Sequence, residues 1–174
     1  MLKVTALKTA LSALVVLTVA SPGFAKCRAV TETLKIDASP QAVFQAIQGY
    51  RTSTLHHRKL VSYDGKSAVV DEQLEGVPVL GNVHCTWVEN EVPYQRIDYT
   101  MLKSDKFVSG SGSYVIVPSG SDSVTLQLST ELDSGVKIPF AHEIGSLAAR
   151  KDMKMRLQSI KHLSETATRI AQKP

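Results

Sequence analysis

The residues of this chain that could do chemistry are scattered rather than grouped. Its five histidines include the neighbours His56 and His57, but no His-x-x-x-His pair occurs, and a zinc site requires three or four ligands that converge. His84 precedes Cys85 in an alternating run, so the two side chains are predicted to point to opposite faces of a strand. No phosphate-binding glycine loop, Gly-x-Ser-x-Gly elbow or His-Glu-x-x-His motif is present. The sequence therefore predicts no metal site and no cofactor.

Glu72 is the best candidate for a general acid or base. It alternates in phase with Val70 and Leu74, so its carboxyl group is predicted to face the interior of the domain. A buried acid is what a cyclase or dehydratase reaction would need. An isolated acid in a strand more often points outward or pairs with a lysine. The sequence therefore favours ligand binding over catalysis, with Glu72 as the catalytic alternative.

The first residues of the chain predict export. Lys3 and Lys8 give a positive start, residues 11–20 are almost all apolar, and small residues then supply a cleavage site. A transmembrane helix needs about 20 apolar residues, and this run is shorter. We predict a signal peptide over residues 1–25, a single mature domain over residues 26–174, and a periplasmic or secreted location.

The mature part of the chain is only weakly basic. The full chain has 20 basic and 16 acidic residues, and removal of Lys3 and Lys8 reduces the formal charge from +4 to +2. So small an excess of positive charge gives no argument for a nucleic-acid partner.

Both cysteines lie in the mature part. An exported domain meets an oxidising compartment, so a disulfide between Cys27 and Cys85 is one prediction. If Cys27 begins the first strand and Cys85 lies in mid-sheet, strand spacings of ~4.8 Å place them too far apart, because bridged Cα atoms lie within ~7 Å. A small buried core residue at Cys85 is the alternative.

Apolar periodicity predicts one strand, a helix, six more strands and a long final helix. Residues 30–36 alternate as a strand, and Ser39 followed by Pro40 is a typical start of a helix. Residues 60–132 contain six strand-length runs that are separated by turn signals, of which Asp64-Gly65 is the strongest. This succession predicts an antiparallel meander.

The alternation of apolar and polar residues along the strands gives the predicted sheet one apolar face and one solvent-exposed face. The apolar side of the middle strands includes Trp87, Tyr99 and Met101, whose rings and thioether could stack on a flat apolar ligand. Gly110 and Gly112 interrupt a strand pattern and predict a bend or bulge, as expected where a sheet curves.

The chain after Pro139 predicts a helix that covers the sheet. Two apolar stripes occur at helical spacing, one of Phe140, Ile144 and Leu147 and one of Met153, Leu157, Ile160, Ala167 and Ile170. The stripes differ in phase by about two residues near residues 150–152. Either the helix bends there, or a short helix precedes a longer one.

Three segments together carry a family resemblance: VTETLKIDASPQAVF at residues 30–44, GSGSY at 110–114 with a turn at Gly120, and RLQSIK at 156–161. In these segments and in its element order, the chain resembles the START-like superfamily of polyketide cyclases, dehydratases and lipid-transfer proteins. The resemblance implies an α+β helix-grip fold, with a curved antiparallel sheet of about seven strands around a long C-terminal helix. It also implies a pocket between sheet and helix for a sterol, lipid, quinone or aromatic polyketide.

The predicted faces assign side chains of four strands and the final helix to the wall of that pocket. These are Val83, Trp87, Ile97, Tyr99, Met101, Tyr114, Leu126, Leu128, Ile144, Leu147 and Leu157. Plain core packing is the alternative for each. We predict an exported binding or transfer protein for a lipid, isoprenoid or aromatic molecule. The alternatives are a cyclase- or dehydratase-type enzyme that uses the same pocket, and a protein-interaction domain without a ligand.

Basic residues of the final helix lead to one more expectation about partners. Arg150, Lys151, Lys154, Arg156 and Lys161 could contact anionic lipid headgroups while the ligand is exchanged. A solvated helix face explains them equally well. The predicted partners are thus a hydrophobic small molecule and, transiently, a membrane surface.

Overall fold

A computed structural model of the chain describes residues 29–54, 57–120 and 122–171. The strands are β1 (Val30–Ile36), β2 (Arg58–Tyr63), β3 (Ser67–Val77), β4 (Gly81–Val92), β5 (Arg96–Ser104), β6 (Ser109–Pro118) and β7 (Val124–Asp133). The helices are α1 (Pro40–Gly49), which a 3₁₀ turn at Tyr50–Thr52 follows, and α2 (Ala141–Ala171). The predicted signal peptide, residues 1–25, lies outside the described residues. Within the described residues, no helix combines the length and the apolar character needed to cross a membrane.

The seven strands form one antiparallel sheet in the order β1-β7-β6-β5-β4-β3-β2. The last strand therefore lies beside the first, with Ile36 opposite Val124 and Leu34 opposite Leu126. The remaining strands follow as a meander, as their turn signals predicted. The seven-stranded sheet and the long C-terminal helix confirm the predicted α+β helix-grip fold.

Helix α1 begins where the sequence predicts. The Ser39 hydroxyl accepts a hydrogen bond from the backbone N–H of Ala42 at 3.3 Å, and Pro40 occupies the first turn. Val43, Phe44 and Ile47 share one face and are buried. This face packs α1 against α2 and β6.

Gly110 and Gly112 leave room for large side chains of neighbouring strands. Strand β6 keeps an unbroken register with β7, and Gly112 pairs regularly with Tyr99 on β5, so the predicted bulge is wrong. A Cβ atom at Gly110 would lie 2.8 Å from Met101 Cε and 3.0 Å from Trp87 Cη2, and at Gly112 it would collide with the Tyr99 hydroxyl. These glycines are required because inner-face side chains lie across β6.

Helix α2 is a single helix of 31 residues, about 46 Å long. Of the second predicted stripe, Met153, Leu157 and Ile160 are buried, whereas Ala167 and Ile170 are exposed. Successive helical residues are rotated by about 100°, so Ile144 lies on the side opposite Met153. Ile144 and Leu147 are 41% and 69% exposed. An uninterrupted helix thus turns their stripe away from the buried one, and that these two residues line the pocket stays a prediction.

The buried apolar residues form two clusters. The first cluster lies beneath α1 and the C-terminal half of α2 and includes Ile36, Phe44, Leu126, Leu157 and Ile160. The second cluster lies on β4 and has Val83, Cys85 and Trp87 at its centre, surrounded by the partly buried Leu74, Val77, Leu80, Tyr99, Met101, Phe107 and Leu132. Tyr99 packs against both clusters and joins them.

Candidate functional site

The second cluster is an apolar surface that α2 leaves incompletely covered. Arg150, at the middle of α2, lies 2.8 Å from Glu32 near the start of β1. Residues 141–149 therefore extend past the start of β1, toward the end of the sheet at which β7 finishes. We call the space between the second cluster and this N-terminal part of α2 the hollow.

The N-terminal part of α2 carries small side chains on its sheet-facing side. Helical geometry places Ser146 and Ala149 on the same side as Met153, at offsets of seven and four residues. Ala149 packs against the first cluster, and both side chains remain partly exposed. Met101, Phe107 and Leu132 of the second cluster also remain partly exposed although they belong to the apolar side of the sheet.

A row of aromatic rings runs from the second cluster into the first. The rings of Trp87 and Tyr99 meet edge to face with centroids 5.6 Å apart, and Tyr99 and Tyr114 lie 5.8 Å apart. The Tyr99 hydroxyl donates to the backbone carbonyl of Ser129 at 2.8 Å and also contacts the Thr130 hydroxyl. These contacts hold the Tyr99 ring across β6 and fix the position of the row.

Charged side chains form a largely buried ionic cluster next to the second cluster. Its members are Arg51, Arg58, Glu72, Glu89, Glu91, Asp152 and Arg156. Glu89, 1% exposed, accepts from Arg51 Nε at 2.7 Å and from Arg58 Nη2 at 2.6 Å. Arg51 Nη2 lies 2.6 Å from Glu91 Oε1. The cluster thereby joins the 3₁₀ turn after α1 to strands β2 and β4.

A second part of the ionic cluster ties α2 to the sheet. Arg156 Nη2 lies 2.8 Å from Glu72 Oε1, and Arg58 Nε lies 3.6 Å from the same oxygen. Arg156 Nε donates to Asp152 Oδ2 at 2.5 Å. Burial disfavours both guanidinium charges, but the carboxylates outweigh it: Glu72 and Glu89 raise the pKa of Arg58 above its ordinary value, and Glu72 and Asp152 raise that of Arg156.

Tyrosines line the boundary between the ionic cluster and the apolar residues. The Arg58 guanidinium lies 5.2 Å from the centre of the Tyr50 ring, within range of a cation–π contact. Burial raises the pKa values of Tyr50, Tyr99 and Tyr114, and nearby Arg156 offsets only part of that increase.

We expect the domain to lose stability steeply above pH 10. In the unfolded chain the tyrosines ionise near 10.0, whereas Tyr50, Tyr99 and Tyr114 stay neutral in the fold at that pH. The stability that their raised pKa values contribute is complete below pH 10 and is lost as the pH rises toward the folded values. The free energy of unfolding should fall by about 1.4 kcal/mol per pH unit for each tyrosine, about 4 for all three.

Urea unfolding between pH 8 and 11 measures this loss. The variant Tyr114→Phe should reduce the slope by about a third. The expectation fails if absorbance at 295 nm shows all five tyrosines of the chain ionising near pH 10 while the protein stays folded.

The structure divides the predicted pocket residues between the two clusters. Val83, Trp87 and Met101 belong to the second cluster, which borders the hollow. The first cluster contains Ile97, Tyr114, Leu126, Leu128 and Leu157, all packed beneath the helices. Tyr99 contacts both. For the buried members of the first cluster, the structure favours the core-packing alternative.

Most of the ionic cluster was not predicted from the sequence. Glu72 faces inward as its alternation predicted, but Arg58 and Arg156 flank it, so ion pairing accounts for its burial. Arg156 was expected on the open side of α2 and instead lies inside the fold, because the Glu72 carboxylate pairs with it. Glu89 could have been found, since it alternates in phase with Cys85 and Trp87.

Cys85 is buried, and its thiol donates to the Ser104 hydroxyl at 3.6 Å. Burial raises the pKa of this thiol to about 11, which keeps it neutral and weakly nucleophilic at physiological pH. Cys27 lies outside the described residues, so a disulfide with Cys85 stays a prediction. The described part of the chain also contains no group of three His, Cys, Asp or Glu side chains placed to bind a metal ion.

A separate open groove of about 420 Å³, the outer groove, lies between the region of the 3₁₀ turn and the C-terminal half of α2. It is lined by Tyr50, Ser53, Gln158, Ser159, His162 and Leu163, and the surface that these residues expose to it is mainly apolar. The groove lies outside the second cluster.

Several solved structures share the fold. An aromatase/cyclase from a Streptomyces species matches with a TM-score of 0.71 and 14% identity, over 84% of this chain and 99% of that one. A conserved protein from Geobacillus kaustophilus has a TM-score of 0.67 and 11% identity, over 80% and 97% of the two chains. A START superfamily protein from Mycobacterium smegmatis has a TM-score of 0.64 and 15% identity, over 80% and 98%.

No match to a curated protein was found. A family model described as polyketide cyclase / dehydrase and lipid transport matches residues 28–165. Because this match spans most of the chain and both parts of the fold that border the hollow, the protein belongs to the polyketide cyclase / dehydrase and lipid transport family.

Proposed function

We propose that this domain binds an apolar small molecule in the hollow, between the second cluster and the N-terminal part of α2. The observation that carries the proposal is the partial exposure of Met101, Phe107 and Leu132 on the apolar side of the sheet. Exposed apolar surface is costly at roughly 25 cal/mol per Å², and a ligand that covers it recovers this free energy. Family membership supports the same conclusion.

The ionic cluster gives this site a rigid polar border. Glu72 and Arg156 connect β3 to α2 at 2.8 Å, so the helix is fixed to the sheet beside the hollow. The site is therefore formed before a ligand arrives, which reduces the entropy cost of binding. A lipid, an isoprenoid or an aromatic molecule would meet the apolar requirement.

Fluorescence titration with Nile red tests the location of the site. Leu132→Gln places an amide in the second cluster, and we expect it to weaken Nile red binding about tenfold, because a polar group replaces apolar contact area. Leu163→Gln makes the same chemical change in the outer groove and serves as the matched control. Affinity unchanged in Leu132→Gln, or lost in Leu163→Gln, would place the site elsewhere.

We also propose that the protein works outside the cytoplasm and contacts a membrane when it exchanges its ligand. The signal-like pattern of residues 1–25 supports export. The exposed stripe of Phe140, Ile144 and Leu147 supports a membrane contact better than the basic residues do. Arg150 pairs with Glu32 and Arg156 is buried with Glu72.

An enzyme of the cyclase or dehydratase type is the second candidate function. The ionic cluster favours it, since charged groups border the hollow. Glu72, however, contacts both Arg58 and Arg156, which suits a structural ion pair better than proton transfer. Retention of turnover in Glu72→Gln would exclude this carboxyl group as the catalyst of any reaction found for the domain.

A further inference from the structure

Trp87 is the single tryptophan of the chain, and its indole nitrogen is buried without a hydrogen-bond partner. The residue is 4% exposed. No acceptor among the described residues lies within hydrogen-bonding distance of Nε1. Some arginine and glutamate atoms are also buried without a hydrogen bond, but each of them faces an opposite charge in the ionic cluster. Glu72 Oε1, for example, lies beside Arg156. Trp87 has no such partner.

The surroundings of Trp87 explain why its N–H is unpaired. The second cluster consists of carbon and sulfur side chains apart from the Tyr99 hydroxyl. That hydroxyl donates to Ser129, and the Cys85 thiol donates to Ser104. Folded proteins pair roughly 90% or more of their buried polar groups, so an unpaired donor in such a setting requires a reason.

The Trp87 ring is also held in one orientation. Its Cη2 atom lies close to Gly110, near Met101 and Leu132, and its ring is perpendicular to that of Tyr99 with centroids 5.6 Å apart. A donor fixed in this way loses little entropy when an acceptor arrives.

We propose that the Trp87 indole N–H donates a hydrogen bond to an oxygen atom of the bound molecule. The hollow would then select apolar molecules that carry a carbonyl, ether or similar acceptor over pure hydrocarbons of the same shape. This inference rests on the proposed function, because it requires a ligand in the hollow. It adds the chemical class of that ligand and names the residue that recognises it.

A matched pair of probes tests the proposal on the wild-type protein. 2-Acetylnaphthalene and 2-ethylnaphthalene have nearly the same shape and differ in one carbonyl oxygen. Because the chain has one tryptophan, an ¹H–¹⁵N spectrum contains a single indole resonance. We expect the ketone to move the indole proton downfield and to bind about tenfold more tightly than the hydrocarbon. An indole resonance that responds equally to both probes would overturn the proposal.

The variant Trp87→Phe provides a second test of the proposal. It should bind the two probes with equal affinity, and its retained affinity for 2-ethylnaphthalene serves as the check that it is folded. A tenfold preference for the ketone that survives in Trp87→Phe would also overturn the role of Trp87. If wild type binds both probes equally, the hollow remains a binding site and only the Trp87 proposal fails. If wild type binds neither probe, the proposed function fails with it.

Discussion

Gly112→Ala should destabilise the domain by about 3 kcal/mol or more. A Cβ atom at this position would collide with the Tyr99 hydroxyl and with the backbone carbonyl of Ser129. The carbonyl cannot move without disturbing the pairing of β6 with β7, and Tyr99 would lose its 2.8 Å hydrogen bond to Ser129. The change would displace the aromatic row as well as lower the free energy of unfolding. Urea unfolding measures the loss.

Gly145→Ala is the matched control for this substitution. Gly145 lies within α2, and a Cβ atom there meets nothing within 4 Å. The same chemical change should stabilise the helix by up to about 1 kcal/mol, because glycine has a lower helix propensity than alanine. If the two substitutions changed the free energy of unfolding equally, the claim that the Tyr99 side chain lies across β6 at Gly112 would be contradicted.

Glu89→Gln should cost about 3–5 kcal/mol of unfolding free energy. Glu89 is the common partner of Arg51 and Arg58, at 2.7 and 2.6 Å, and all three side chains are buried. Loss of its charge leaves two buried guanidinium groups with less compensation. A domain of this size has a total stability of about 5–15 kcal/mol, so the variant would be close to unfolding. Thermal and urea unfolding should both show the effect.

Asp98→Asn is the control for the ionic prediction. It neutralises an ion pair of similar length, Arg96–Asp98 at 2.6 Å, but both side chains of that pair are substantially exposed. Exposed pairs contribute about 0–1 kcal/mol, so little change in stability is expected. A small effect of Glu89→Gln, comparable with that of Asp98→Asn, would show that the ionic cluster does not hold the fold together.

Local sequence signals predicted the elements of the fold well. The Ser39–Pro40 helix start, the alternation of β1 and the Asp64-Gly65 turn each depend on neighbours a few residues apart, and the structure has all three. Inward-facing side chains such as Trp87 and Tyr99 followed from the two-residue period of a strand. Their role beside a ligand stays a prediction.

The ionic cluster was harder to predict from the sequence, because its members are far apart along the chain. Arg156 reaches Glu72 from the final helix, and Arg58 on β2 reaches Glu89 on β4 across the intervening strand β3. A charged residue read alone is more often assigned to the surface. The phase break in α2 was visible in the sequence, but only the continuous helix shows that it turns Ile144 and Leu147 outward.

The central claim is that one apolar molecule occupies the hollow, and native mass spectrometry tests it most directly. Wild-type protein and the Leu132→Gln variant would be purified side by side, without detergent, and then extracted with organic solvent. We predict that the wild type carries one apolar molecule per chain, which extraction releases, and that Leu132→Gln carries markedly less. Wild-type protein that is empty, and that stays empty after incubation with a total lipid extract of its host, would contradict the claim.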